Sequence, residues 1–511
     1  MNINTKRGIK NVTFGLLQQL ITIAFGLILP RLFLINYGSE VNGLISSITQ
    51  IYVYVALLEA GVGTASLQAL YRTIAKKNLN ATNAIVSATN RYYKRTGILY
   101  LVAVLLLAVI YPFVVKTEID KLTVVSVIVL NGLVGVVNYF FQGKYRILLQ
   151  AEGKTYLLSI LSTVIYILTS ASKIILIQFG FNIIAVQAAY FLCNMIQMLF
   201  IELYIRKHYK WIDLKAKPDY DSIAQKNSVM LHKIAGLVFS NTDVLILTFL
   251  CGFKEVSVYV LFLSFFDMVK SVLFSFIDGV KFNLGQAFHI DRKKYVRMFD
   301  AFESYYMTLS FAAYTVLYIF MLPFMRLYTE GVKDINYTDP YVSMLFTAVF
   351  LLQAGRGPCS LVIDHAEHFR KTQWRSVTEA VINLVVSLVC VNIWGIYGVL
   401  FGTVAALLYR TNDIILYVNN RILNRSAFNS YRRWITNLIL FFAFALIASR
   451  LPWKLDSYLS IVLWGVISAI VVLSLDFIII SVVERDSFNY AFSVLSQIIK
   501  ERKNKTQKLS K

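Results

Sequence analysis

The sequence predicts an all-α polytopic membrane protein of about fourteen transmembrane helices, with two six-helix pseudo-symmetric lobes plus two C-terminal helices. Three observations predict it. Apolar runs long enough to cross a bilayer recur along the whole chain. The segments between them alternate between basic and nearly uncharged. The two halves repeat at a fixed offset.

Composition sets the class. Of 511 residues, 57% are hydrophobic and 15% charged, with a mean hydropathy of +0.62. A soluble chain carries nearer to about a quarter charged residues. The net charge of +22 does not point to nucleic acid, because Lys and Arg sit in the connections between apolar runs, where membrane topology accounts for them. No nucleic-acid partner is expected. Cys193, Cys251, Cys359 and Cys390 carry no metal or redox spacing, so no metal site is predicted. Residues 1–10 are short and basic, and the apolar run after them is too long for a cleaved signal; it is the first span.

Spans are predicted near residues 11–34, 41–63, 96–115, 122–143, 155–178, 182–205, 227–250, 256–280, 302–325, 341–363, 376–393, 398–417, 434–450 and 458–482. Each suits a hydrocarbon core about 30 Å thick. The runs lack the alternation of barrel strands, so helices are the structures that satisfy their backbone in lipid. With the N-terminus placed in the cytoplasm, the inner connections hold 38 Lys plus Arg and the outer ones 7. This is the positive-inside asymmetry. Losing one span would invert everything after it, so the number is even and both termini are cytoplasmic. Five further cations, Arg31, Lys173, Lys233, Lys270 and Arg356, lie within spans.

The repeat divides the spans. Ala151-Glu152 matches Ala366-Glu367, Glu40-Val41 matches Glu255-Val256, and Gly180 matches Gly395, each at an offset of 215 and at the corresponding connection. The domains are therefore read as an N-terminal lobe (1–206), a cytoplasmic linker (207–226), a C-terminal lobe (227–425), an appended helix pair (426–484) and a basic cytoplasmic tail (485–511). Repeats of six spans run parallel, and transporters built this way bind substrate between halves that rock. The apolar start of the tail, from Phe488 to Leu495, reads either as an interfacial helix or as part of a solvated tail.

Arg31, then Tyr37-Gly38-Ser39-Glu40-Val41-Asn42-Gly43, then Leu58-Glu59-Ala60-Gly61-Val62-Gly63-Thr64-Ala65 resemble the N-terminal signature of polysaccharide transporters. These are the Wzx-type flippases of the multidrug/oligosaccharidyl-lipid/polysaccharide exporter superfamily. The sharp part of the resemblance is confined to residues 31–65. It implies two lobes around a central cavity and a lipid groove beside the appended pair. It also implies a polyprenyl-diphosphate-linked oligosaccharide, flipped across a bacterial cell membrane for surface polysaccharide synthesis. The implied partners are that lipid-linked oligosaccharide, membrane lipid and polysaccharide assembly proteins.

A charge at mid-bilayer costs a few kcal/mol or more, so it faces a cavity or a partner. Arg31, Lys270 and Arg356 are the expected diphosphate-binding residues, since Arg can hold such a group bidentately. Each has a plainer alternative. Arg31 follows Pro30 near the outer end and can snorkel. Lys270 lies one turn after Asp267 and can pair with it. Arg356, within Gly355-Arg356-Gly357-Pro358, has no acid one turn away. Lys173 and Lys233 read as snorkelling. Glu59, Asp243, Asp267 and Glu379 are expected either to couple transport to an H⁺ or Na⁺ gradient or to pair with buried cations; no other cofactor is expected. Asp278 lies within a span as well, and Asp476 in the appended pair faces headgroups or the tail. At the 215 offset the three cations match Ile246, Val55 and Phe141, so they are not symmetric scaffold features. Tyr52, Tyr54, Tyr139, Tyr305 and Tyr306 read either as sugar-stacking rings or as an interfacial belt.

A membrane glycosyltransferase or polymerase is the enzyme alternative, but the largest outer loop, around Glu330–Asp339, holds no acid-pair or metal constellation, so no enzyme is expected. A multidrug exporter of the same superfamily and a peptidoglycan-precursor flippase remain as alternative transporters.

Overall fold

The computed structural model describes residues 3–59, 61–223, 241–494 and 496. The long elements among them are helices: α1 (Ile3–Val55), α2 (Val62–Ala75), α3 (Leu79–Val114), α4 (Lys121–Val137), α5 (Gly143–Ala151), α6 (Thr155–Gln178), α7 (Ile183–His208), α8 (Asn241–Leu250), α9 (Phe253–Ile290), α10 (Arg292–Tyr328), α11 (Pro340–His365), α12 (Phe369–Trp394), α13 (Ile396–Tyr417), α14 (Phe428–Arg450) and α15 (Tyr458–Val483).

Twelve helices among the described residues are long and apolar enough to cross a membrane. Two details bring them into line with the expected fourteen. The apolar stretch Thr13–Glu59 has 47 residues, about 70 Å at about 1.5 Å each, or more than twice a hydrocarbon core. Gly38 (φ 80°, ψ 173°) breaks it into two arms, 3–37 and 39–55, in a backbone region open to glycine alone. The other is the seventh expected span, which is described only from Asn241 onward; Lys233 lies outside the described residues.

The second arm ends early. It stops at Val55, a 3₁₀ turn covers Ala56–Glu59, and α2 starts after Gly61 (φ 95°). The basic connections on the predicted inner side are also less loop-like than the sequence suggests. Helix α3 begins at Leu79 and α9 runs on to Ile290, so residues 79–95 and 281–290 are helical extensions of spans. Apolar periodicity marks where lipid contact ends, not where backbone hydrogen bonding ends. The first part of the linker, 209–219, packs on the α3 extension. Asn83 Nδ2 donates to the Trp211 carbonyl at 3.0 Å, and Ser87 Oγ to that of Ala216 at 2.7 Å.

The described residues form two compact units, one within residues 1–261 with 331–335 and one within 262–330 with 336–511. In the first unit, the signature residues hold turns and close approaches. Ser39 gives its amide (2.9 Å) and hydroxyl (2.7 Å) to Asp334, and Glu40 accepts from Thr117 and the Glu118 amide, both at 2.8 Å. Asn42 Nδ2 donates to Ser257 Oγ at 2.8 Å. These two positions are 215 apart, so the repeat makes them equivalent. A Cβ on Gly43 would lie 1.9 Å from the Phe253 carbonyl oxygen, so only glycine fits. The core of this unit is rich in tyrosine: Tyr139 packs on Tyr93 and Tyr100, and Tyr52 stacks on Tyr100.

In the second unit, Phe262, Phe266, Phe346 and Phe350 stack between α9 and α11. Helix α15 packs on α10 through a stripe of Ile461, Val472, Asp476 and Ile480, while its other apolar faces are exposed. A helix apolar all round that buries one stripe is lipid-exposed. Residues 485–494 are helical, with Phe488 stacked on Phe492; the basic end of the tail lies outside the described residues.

A cationic cavity in the second unit

Two predicted cations meet in one cavity of about 250 Å³ in the second unit. Lys270, Phe274, Ile277 and Lys281 line it from α9, and Gln353, Arg356, Gly357, Ser360 and Asp364 from α11. Spacings of four, seven and eleven residues keep each set on one helix face. Tyr306 and Tyr314 close it from α10.

The glycines around Arg356 have distinct uses. A Cβ on Gly355 would lie 2.5 Å from the Trp434 ring, and one on Gly357 would lie 3.2 Å from Tyr306. Both let bulky rings of neighbouring helices approach. Pro358 has no amide hydrogen, which leaves the Ala354 carbonyl, also on the cavity wall, without its helical donor.

The cavity charges are paired from behind. Arg356 Nη1 donates to Glu379 Oε1 on α12 at 2.5 Å, and Arg410 Nε lies 3.5 Å from Glu379 Oε2. Arg410 continues to Asp413 at 2.7 Å, and Asp413 also binds Arg375. The acid absent within a turn of Arg356 is supplied by a different helix, α12. Lys270 reaches Asp267 at 3.5 Å, and its ammonium lies 5.5 Å from the Phe350 ring centre. Lys281 reaches Asp364 at 3.1 Å. Both lysine pairs are about half exposed, whereas Glu379 is buried. The set counts five cations (Lys270, Lys281, Arg356, Arg375, Arg410) and four acids (Asp267, Asp364, Glu379, Asp413), a net charge of +1, with the two lysines its half-exposed cations.

A larger cavity of about 790 Å³ lies beside a different charge cluster. There Glu303 on α10, fully buried, takes Arg425 at 2.7 Å and Arg433 at 2.5 Å. Arg433 also binds Asp300 at 2.7 Å and Glu484 at 2.8 Å, and Arg432 joins Glu484. Three acids meet three arginines. The cavity walls carry three arginines (Arg297, Arg432, Arg433) and three acids (Asp300, Glu484, Asp486), so this space offers no net charge to an anion. The smaller, cationic cavity is the better candidate site.

The remaining predicted residues stand elsewhere. Arg31 is half-buried in α1 and belongs to the first unit. Glu59 accepts from the Gly63 amide at 3.0 Å and from the Tyr93 hydroxyl at 2.7 Å. Asp243 is buried and accepts from the Tyr259 hydroxyl at 2.8 Å. Asp278 is exposed. Lys173 lies over the Tyr190 ring at 4.7 Å. Of the five tyrosines singled out, Tyr306 lines the cavity. Tyr52 donates to the Ile128 carbonyl, Tyr54 bonds Thr242, Tyr139 is core, and Tyr305 bonds Ser481.

Lys281, Asp364 and the Arg410–Asp413–Arg375 chain are absent from the sequence-based expectations. Lys281 reads in sequence as part of an inner loop, because apolarity fades near residue 280. Its distance of eleven residues from Lys270 is the signal that a longer helix would have exposed.

No family model and no curated protein sequence matches the chain. Solved structures do. The Lipid II flippase MurJ in an inward closed conformation matches with a TM-score of 0.70 over 94% of this chain and 99% of that one, at 14% identity. An inward-facing multidrug resistance MATE family transporter of the MOP superfamily matches at 0.57 over 81% and 98%, also at 14% identity. The MATE multidrug transporter DinF-BH matches at 0.57 over 82% and 95%, at 12% identity. At these identities the likeness establishes the fold alone: the chain is an all-helical, multi-pass membrane protein with the fold seen in these structures. These neighbours are transporters and flippases rather than enzymes.

Proposed function

We propose that the chain is a flippase for a polyprenyl-diphosphate-linked oligosaccharide. It moves this lipid from the cytoplasmic to the outer leaflet of a bacterial cell membrane, by alternating access of two lobes, for surface polysaccharide synthesis. The observation that carries the proposal is the convergence of Lys270, Lys281 and Arg356 on one cavity. A diphosphate is a compact dianion that needs several cationic donors at once. The half-exposed lysines can turn from Asp267 and Asp364 toward such a ligand, while Glu379 and Arg410 hold Arg356 in place. The fold shared with the Lipid II flippase MurJ agrees with this scale of substrate. In the proposed topology the basic connections and both termini are cytoplasmic. Arg31 is a further proposed contact to the substrate. Glu59, Asp243, Asp267 and Glu379 are the proposed carboxylates for H⁺ or Na⁺ coupling or for charge pairing.

Reconstitution tests the proposal. Proteoliposomes holding a labelled lipid-linked oligosaccharide diphosphate should expose it on the far leaflet, and Lys270→Gln with Lys281→Gln should abolish that at unchanged protein content. Retained translocation by the double variant would reject the cavity as the site. A peptidoglycan-precursor flippase is the second reading, favoured by the likeness to MurJ. Rescue of cells depleted of their own Lipid II flippase separates the two. A multidrug exporter is the weaker alternative, since the cavity cations repel a cationic drug.

A further inference from the structure

Between Tyr458 and Val483, helix α15 carries one charged residue, Asp476. It lies on the buried stripe with Val472 and Ile480 and is 2% exposed. Its neighbours fix its surroundings as the α10 contact: Phe477 stacks on Tyr305 at 5.2 Å, and Ser481 meets the Tyr305 hydroxyl at 3.1 Å. Oδ1 of Asp476 has no hydrogen-bond partner, and no ion pair reaches the carboxyl among the described residues.

The cations of the packed helices are committed elsewhere. Arg432 and Arg433 of α14 hold Glu484. Glu484 is eight residues beyond Asp476, about 12 Å along a helix axis. Helix α10 has no charged residue between Glu303 and Arg326, and α14 none between Arg433 and Arg450. Arg326 bonds the Leu455 carbonyl and Asp456, beyond the start of α15. Asp300 and Glu303 belong to the arginine cluster. The titratable groups left on these faces are tyrosines: Tyr305 toward α15, Tyr306 on the cavity wall, Tyr314 against Phe266 and Phe350, and Tyr318 against Phe441 of α14.

A carboxylate enclosed in a lipid-facing helix contact, with no cation and an oxygen lacking any donor, is strongly disfavoured as an anion. What the site lacks is one proton. We propose that Asp476 is a proton-binding site of the appended helix pair. Its carboxylate takes a proton from water to become the neutral acid, keeps it while α15 packs on α10, and returns it when that contact opens to water. The site does not depend on which substrate the cationic cavity carries.

The test uses the full chain in lipid nanodiscs at neutral pH. Infrared spectra should show the C=O stretch of a protonated carboxyl, shifted by ¹³C labelling of aspartate and lost in Asp476→Asn. Dicyclohexylcarbodiimide, which reacts with protonated carboxyls in apolar surroundings, should modify Asp476 in the unaltered chain as read by peptide mapping. This second readout needs no variant to fold. Sodium should leave both signals unchanged. An ionised Asp476 at neutral pH, or loss of the signals on adding Na⁺ at constant pH, overturns the proposal; the second result would make the site a sodium site.

Discussion

The second unit holds two charge clusters that look alike in sequence and differ in what surrounds them. In the cluster beside the larger cavity, a clasp of α10, α14 and the residue after α15, the side chains of Glu303, Arg433 and Glu484 are each at most 4% exposed, and three acids meet three arginines. In the cavity, Lys270 and Lys281 are 49% exposed and reach their acids at 3.5 and 3.1 Å. A buried, balanced, tightly bonded set has no donor to spare, so it holds helices α10, α14 and α15 at their shared end. Half-exposed pairs with longer contacts have little to lose by exchanging partners. Arg356 is intermediate: one face meets Glu379 and the other the cavity. Burial and balance, rather than the presence of charge, separate scaffold from site.

The largest expected effect comes from breaking the clasp. Glu303→Ala leaves Arg425 and Arg433 without their buried partner and should lower stability by about 3–5 kcal/mol. Thermal unfolding in detergent reads this; a melting temperature near that of the unaltered protein would show that the clasp is not the scaffold described.

Next is the intermediate residue. Arg356→Met strands Glu379 beside Arg410 and should cost about 1–3 kcal/mol, with loss of translocation. Adding Glu379→Gln should restore much of the stability and none of the transport. If transport returned with stability, Arg356 would belong with the clasp.

Lys270→Gln sharpens the comparison from the other side. Its pair is exposed, so stability should move by no more than about 1 kcal/mol while translocation falls. A large drop in melting temperature would contradict the half-exposed geometry.

A neutral reference comes last. Asp339 caps α11 by accepting from the Tyr341 and Val342 amides at 2.8 and 3.3 Å and also receives the Tyr397 hydroxyl. Asp339→Ala should cost about 1 kcal/mol, as helix caps do. Transport measured at matched protein levels should be unchanged.

The residues of the N-terminal signature show why a fold was more legible than a substrate. Gly38 and Gly61 supply positive-φ turns, Gly43 admits the Phe253 backbone, and Ser39, Glu40 and Asn42 tie connections together. These are constraints of backbone geometry, and local sequence states them openly. They act on the backbone rather than on a binding site, so in the structure they are silent on the cargo. Lys270 and Arg356 were visible as charges inside apolar spans. That they share one cavity, and that Glu379 backs Arg356, was not, because those contacts join helices far apart in sequence.

By itself, the sequence determined the membrane class, the approximate number of spans and the repeat. Lipid solvation acts on each segment separately, and a run of apolar residues records it locally. Tertiary structure alone decided which ionised groups face one another and which face open space. It joined Asp300 and Glu303 to arginines more than a hundred residues away, and it left Asp476 without an ionic partner among the described residues. Charge compensation in a low-dielectric interior depends on distances of a few ångströms between helices, and only packing sets those distances.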